Sequence, residues 1–293
     1  MSFSQKTGLV FKTRTVILGA SLLSSLMFTA CASPVANNPD STTQQAPASV
    51  PAPYGQAVGS GQKVESPTGT YETITLNKDA PVYTYATHPE YIASAGWTAE
   101  DGAAGQRAAV DYMVKEFVDS KALNGGDAAY QEWYKTSAKK YFADSLYQDP
   151  AMQSGEGIVV LGNYNGNAMP NLINDGTPRE KTLDLEVLGV SAYDDEAGVK
   201  GLRYSFNYTS EYRVNDTEAT VFASKLTGKS PEEFLNSPVA KDSLKDGKGE
   251  NVYVAKGQAN VVLAKGTKNE WEIIGFQAIT EYDTSDFAVQ ATK

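Results

Sequence analysis

Large apolar residues occupy every second position over residues 202–214: Leu202, Tyr204, Phe206, Tyr208, Tyr212 and Val214, with Ser210 alone breaking the row. A period of two puts them all on one face of an extended chain, so the spacing predicts a long strand buried on one side. Leu183, Leu185 and Val187 predict an earlier strand, and Asp194, Asp195, Glu196, Ala197 and Gly198 a hairpin turn between the two. Residues 252–263 and 271–282 predict a second hairpin around residues 265–269, where Gly266 supplies turn freedom. Two shorter strand-like runs, 70–76 and 81–85, come first.

Between these runs the period changes to that of a helix. Val110, Met113, Val114, Phe117 and Val118 form one apolar stripe, Thr98 with Asp101 can cap its start, and Asn124, Gly125 and Gly126 stop it. Asp127 can cap a second helix whose stripe is Tyr130, Trp133, Tyr134, Tyr141 and Phe142, with Lys135, Lys139 and Lys140 off the stripe. Ser230, Pro231 and Glu233 predict a short helix over residues 230–236. Helices followed by antiparallel strands define an α+β domain, a helical hairpin packed on one face of an antiparallel sheet.

The first residues have a different pattern. Lys6, Lys12 and Arg14 precede an uncharged, largely apolar run, residues 15–30, shorter than the ~20 residues a permanent bilayer span needs. Small residues, Thr29 and Ala30, stand directly before Cys31. Phe28, Thr29, Ala30 and Cys31 resemble the lipobox of bacterial lipoproteins, with Phe28 in the place of the usual aliphatic residue. That resemblance implies cleavage after residue 30 and acylation of Cys31, which anchors an extracytoplasmic chain to the cell membrane. Since a second acyl chain turns marginal binding into stable anchoring, no further membrane segment is needed.

Composition then divides the rest. Residues 31–69 comprise the lipidated N-terminus and a stretch rich in Pro, Ala, Ser, Thr, Gln and Gly, which is expected to be a disordered tether. Such a tether of about forty residues has a reach of roughly 35 Å. Residues 70–293 have the composition of one globular domain, long enough to bury about 70% of its unfolded surface. Removing residues 1–30 takes away Lys6, Lys12 and Arg14 and no acidic residue, so the net charge moves from −10 to −13. A surface this acidic excludes nucleic acid as a direct partner.

Catalytic chemistry has few carriers. The chain has one histidine, His88, and one cysteine, Cys31, so zinc lacks its usual ligands, cysteine nucleophiles are absent and a Ser-His-Asp triad would have to use His88. Asp194, Asp195 and Glu196 lack the ligand spacing of a calcium loop, and no phosphate-binding glycine motif is present. No catalytic residue, metal ligand or cofactor is therefore assigned. Seventeen tyrosines are the unusual feature, and Tyr204, Tyr208 and Tyr212 are candidates to line a pocket if their face looks into a cavity.

The order of elements over residues 96–287 resembles the nuclear transport factor 2-like fold, carried by the stripes at 110–118 and 130–142 and by strands ending in Trp271, Ile273, Ile274, Gly275 and Phe276. The resemblance implies a cone in which a bent sheet wraps a helical hairpin, and isomerases and dehydratases of that fold use a carboxylate or His base among Tyr or Asp donors. Three functions follow: a non-catalytic module that binds a protein or small molecule in the envelope, a cone-fold enzyme with an Asp or Glu base, and an accessory subunit of an envelope transport complex. The first is expected, together with the absence of any carboxylate whose pKa is raised by deep burial among the tyrosines.

Overall fold

The computed structural model describes residues 54–66, 68–84, 89–123, 125–155, 160–161, 169–236, 250–267 and 270–283. Strand β1 (Tyr54–Ser66) pairs antiparallel with β2 (Gly69–Leu76), with a bulge between Gly59 and Lys63 in which Gly61 takes a φ of +77°. β1 lies inside the stretch expected to be tether, so the ordered part starts earlier than residue 70. Its Gly, Gln, Ser and Lys residues bury little, and β2 supplies the ribbon's core residues, Tyr71, Ile74 and Leu76. The remainder of the expected tether, the signal run and Cys31 lie outside the described residues.

Residues 81–83, expected to be extended, form one 3-10 turn instead (Pro81–Tyr83). Pro81 presets the helical φ, and the Tyr83 and Thr84 amides donate to the Ala80 and Pro81 carbonyls at 3.0 Å each. A short helix, α1 (Pro89–Ala93), precedes α2 (Ala99–Tyr112), which begins with the predicted capping box: Thr98 Oγ1 accepts from the Asp101 amide and Asp101 Oδ2 from the Thr98 amide, both at 3.1 Å. α2 continues as a wider, π-helical segment, Met113–Val118, closed by the Asp119 amide on the Val114 carbonyl at 3.0 Å. The whole stripe from Val110 to Val118 is buried, but the helix stops at Asp119, ahead of the expected glycine stop.

The second helix of the layer, α3 (Gly126–Trp133), has Gly125 at its N-cap, and Asp127 sits within its first turn without capping it. It runs on through a π-helical segment, Tyr134–Ala138, into α4 (Lys139–Tyr141), and two more short helices follow, α5 (Asp144–Tyr147) and α6 (Pro150–Ser154). Then come β3 (Asp175–Pro178), β4 (Glu180–Asp194), β5 (Lys200–Asn215), α7 (Asp216–Thr227), α8 (Pro231–Leu235), β6 (Glu250–Lys265) and β7 (Trp271–Asp283). α8 carries the predicted capping box of Ser230 and Glu233. α7 stands where no helix was expected; Asn215 caps it through the Glu218 amide at 2.8 Å, and Gly228 ends it in the left-handed region at φ +67°.

The strands pair in the order β3-β2-β1-β4-β5-β6-β7, antiparallel except for β2 with β3. β1 meets β4 only through residues 54–56 before it turns to β2, so it joins two ladders. The protein is thus α+β, a mix of helices and mostly antiparallel strands. β5 meets the first helical segment where Phe117 lies edge-on to Tyr208 at 5.3 Å, and β7 meets it where Phe276 packs against Phe117 at 5.2 Å and Tyr112 at 5.4 Å. Phe142 docks beside Ile273, where the Ala143 amide donates to the Ile273 carbonyl at 3.0 Å, tying the second helical segment to β7.

Candidate functional site

Tyr204, Tyr208 and Tyr212 share the inner face of β5, as their alternation requires, and each is 2% exposed or less. Their hydroxyls are engaged one by one: Tyr204 donates to the Gly102 carbonyl of α2 at 2.7 Å, Tyr212 to the Val118 carbonyl at 2.9 Å, and Tyr208 is 2.5 Å from Thr280 Oγ1 on β7. Burial pushes all of the Tyr204 and Tyr212 phenols upward, so neither ionises near neutral pH. Tyr204 and Tyr212 fasten β5 to the first helical segment, Tyr208 ties β5 to β7, and of the three only Tyr208 lines the groove formed by β4 to β7. His88 lies outside the described residues.

That groove, of about 570 Å³, opens where β4, β5, β6 and β7 run side by side. Asp184 and Glu186 come from β4, Asn207 and Thr209 from β5, Lys256 and Gln258 from β6, with Tyr208, Gly257 and Ile279 completing it. The strand register builds the row. Glu186 is opposite Asn207, Asn207 opposite Gln258, and Gln258 opposite Ile279. A hydrogen-bond ladder follows it: Gln258 Nε2 donates to Asn207 Oδ1 at 3.2 Å, and Asn207 Nδ2 donates to Glu186 Oε2 at 2.9 Å. Two carboxylates, two amides, two hydroxyls and one ammonium give the groove hydrogen-bonding groups of both kinds, beside apolar surface that includes Ile279.

A second polar group is buried at the far end of the helical layer. Asp119 follows the π-helical segment, Arg179 and Glu180 form the corner between β3 and β4, and all three are 5% exposed or less. The Arg179 guanidinium donates to Asp119 Oδ1 and to the Ser120 carbonyl, the latter at 3.1 Å, and its Cζ lies 3.6 Å above the Tyr71 ring. Asp119 Oδ2 accepts from the Ile74 amide of β2 at 2.8 Å. Glu180 stands opposite Tyr212 in the β4–β5 ladder, and neither of its carboxyl oxygens has a donor among the described residues. Burial, reinforced by the neighbouring Asp119, pushes the Glu180 carboxyl well above the usual carboxylate range. The expectation of no such carboxylate is therefore corrected: the corner after Pro178 folds inward and takes both Arg179 and Glu180 out of water.

A third carboxylate, Glu116, accepts from Trp133 Nε1 at 2.7 Å, and burial raises its pKa as well. None of Asp119, Arg179, Glu180 or Glu116 lines the groove. Among the described residues no group of three His, Cys, Asp or Glu side chains could hold a metal ion, and no helix is long and apolar enough to cross a membrane. Comparison of the chain with protein-family models, curated proteins and solved structures finds no match.

Proposed function

We propose that this protein is a lipid-anchored extracytoplasmic lipoprotein whose domain binds a small polar ligand, or a polar segment of a partner in the envelope, and does not convert it. The observation that carries the binding half is the open groove with its Gln258–Asn207–Glu186 ladder, whose amides and carboxylates present donors and acceptors in fixed order. The anchoring half rests on Cys31 and the residues ahead of it. On this reading the tyrosine-faced strands wrap the two helical segments as the wall of a cone of the nuclear transport factor 2-like kind, and the groove lies on the wall.

A second reading has one observation in its favour. Glu180, a carboxyl with a raised pKa beside Tyr212, is the kind of base a cone-fold isomerase or dehydratase uses. A base has to reach its substrate, and Glu180 is only 5% exposed and is not part of the groove, so binding is preferred. The test is ligand-observed NMR on the full chain in detergent against polyols, amino sugars, free amino acids and short peptides, repeated with Asn207→Leu. Binding by one class that Asn207→Leu abolishes supports the proposal. Turnover of a probe that depends on Glu180 overturns it in favour of the enzyme, and binding indifferent to Asn207 removes the groove.

A further inference from the structure

The buried corner has a charge count that its geometry must resolve. One guanidinium, Arg179, faces two carboxyls, Asp119 and Glu180, in a site closed to water. Asp119 has donors for both oxygens, the Ile74 amide and Arg179, which favours its ionised form. Glu180 has none, and two carboxylates are acceptors only, so they cannot bond to each other. With a proton on Glu180 both problems vanish: its O–H becomes a donor within reach of Asp119, and the interior holds one cation and one anion.

The partners of this corner come from four parts of the chain. Tyr71 and Ile74 belong to β2, Asp119 and Ser120 follow the helical segment, Arg179 precedes β4 and Glu180 starts it, and Tyr212 faces Glu180 from β5. The Arg213 amide donates to the Arg179 carbonyl at 2.8 Å, fixing the corner to β5. The remaining charged group that bears on Tyr71 is Glu116. Thus the β1–β2 ribbon is fastened to the corner through the Ile74 amide and the stacked Tyr71 ring.

We propose that Asp119, Arg179 and Glu180 form a pH-sensitive latch that holds the β1–β2 ribbon to the body of the domain while Glu180 is protonated and releases it when Glu180 ionises. Ionisation places a second negative charge, without a donor, beside Asp119 and competes for Arg179. Arg179 then leaves the Tyr71 ring, and Asp119 loses the partner that holds it against Ile74. Because the folded state keeps a proton that the unfolded chain gives up near pH ~4.3, the latch's contribution is complete below that pH and is lost as pH rises through the higher folded-state value.

The experiment follows amide hydrogen exchange of Ile74 in the full chain in detergent from about pH 5 to 9, corrected for intrinsic exchange, beside Glu180→Gln and the carboxyl-carbon titration of Glu180 in the unaltered protein. The latch predicts that Ile74 protection falls tenfold or more across that range in the unaltered protein, and that Glu180→Gln, which keeps a neutral donor in place, holds protection constant. It predicts a Glu180 carboxyl carbon that titrates well above the usual carboxylate range, which decides the matter should Glu180→Gln fail to fold. Protection of Ile74 that does not change with pH, an equal fall in Glu180→Gln, or Glu180 titrating within the usual carboxylate range would each overturn it.

Discussion

Gly105 sits in the interior of α2, where replacing glycine by alanine ordinarily stabilises a helix by about 1 kcal/mol. Here the sign should reverse. A β-carbon at Gly105 would stand 2.5 Å from the Tyr204 hydroxyl and 3.2 Å from two carbons of its ring. Tyr204 cannot step aside, because it is fully buried and its hydroxyl donates to the Gly102 carbonyl one turn away. Overpacking at such a site costs about 1–3 kcal/mol, so Gly105→Ala should destabilise the domain by up to about 2 kcal/mol after the propensity gain is set against it. Tyr204→Phe alone should cost about 1 kcal/mol for the lost hydrogen bond. In the Phe background the 2.5 Å contact is gone, and the 3.2 Å ring contacts ease with a shift of a few tenths of an ångström, so Gly105→Ala should become neutral or stabilising there. Urea denaturation of the four proteins gives the cycle, with an expected coupling of about 1–2 kcal/mol. Stabilisation by Gly105→Ala in the unaltered background would refute the interlock of α2 with β5.

Three other perturbations test neighbouring parts of the account. Asn215→Ala removes the cap of α7 and should lower stability by about 1 kcal/mol in the same urea assay, whereas no change would detach the cap from the fold's energetics. Gly257→Ala would drive a β-carbon into the Ile279 carbonyl, a backbone atom fixed in the β6–β7 ladder, so it should destabilise by about 1–3 kcal/mol and disturb the groove; a stability equal to the parent's would show that the strands shift freely there. The Arg213 guanidinium, then Thr177, hold the Asp175 carboxyl well below the usual carboxylate range, at a half-exposed site where screening keeps the contribution small. That contribution is present above the unfolded value of about 3.9 and lost as pH falls further, so Asp175→Asn should make the acid limb of a stability-versus-pH curve shallower.

The legible parts of the fold were those where one face is buried and the other is wet. β5 alternates over its whole length, and even Ser210, the break in the row, is buried with its neighbours. The stripes at 110–118 and 130–142 were legible for the same reason, although the π-helical turns that extend both helices leave no mark in the spacing. β1 was hidden because its polar and glycine residues carry no burial pattern; its pairing with β2 is a backbone matter. α7 has a signal of its own, an Asn-x-x-Glu start at Asn215 and a glycine stop at Gly228, set within a long polar insert that carries no clear apolar stripe. The buried corner was the least legible. Arg179 and Glu180 are adjacent charges after a proline, the usual composition of a surface turn, and only the fold brings Asp119, sixty residues earlier, against them. The groove is equally non-local, since its ladder draws one residue from each of three strands.

The central claim, a domain held outside the cell by lipid on Cys31, is tested most directly by mass spectrometry of the N-terminal peptide from membrane-extracted protein. The account predicts a chain that begins at Cys31 and carries a diacylglyceryl group on the sulfur, with Cys31→Ser lost from the membrane fraction or retained as the uncleaved precursor. A membrane-bound protein of mature size whose Cys31 is unmodified, or whose first residue is any other, would contradict it.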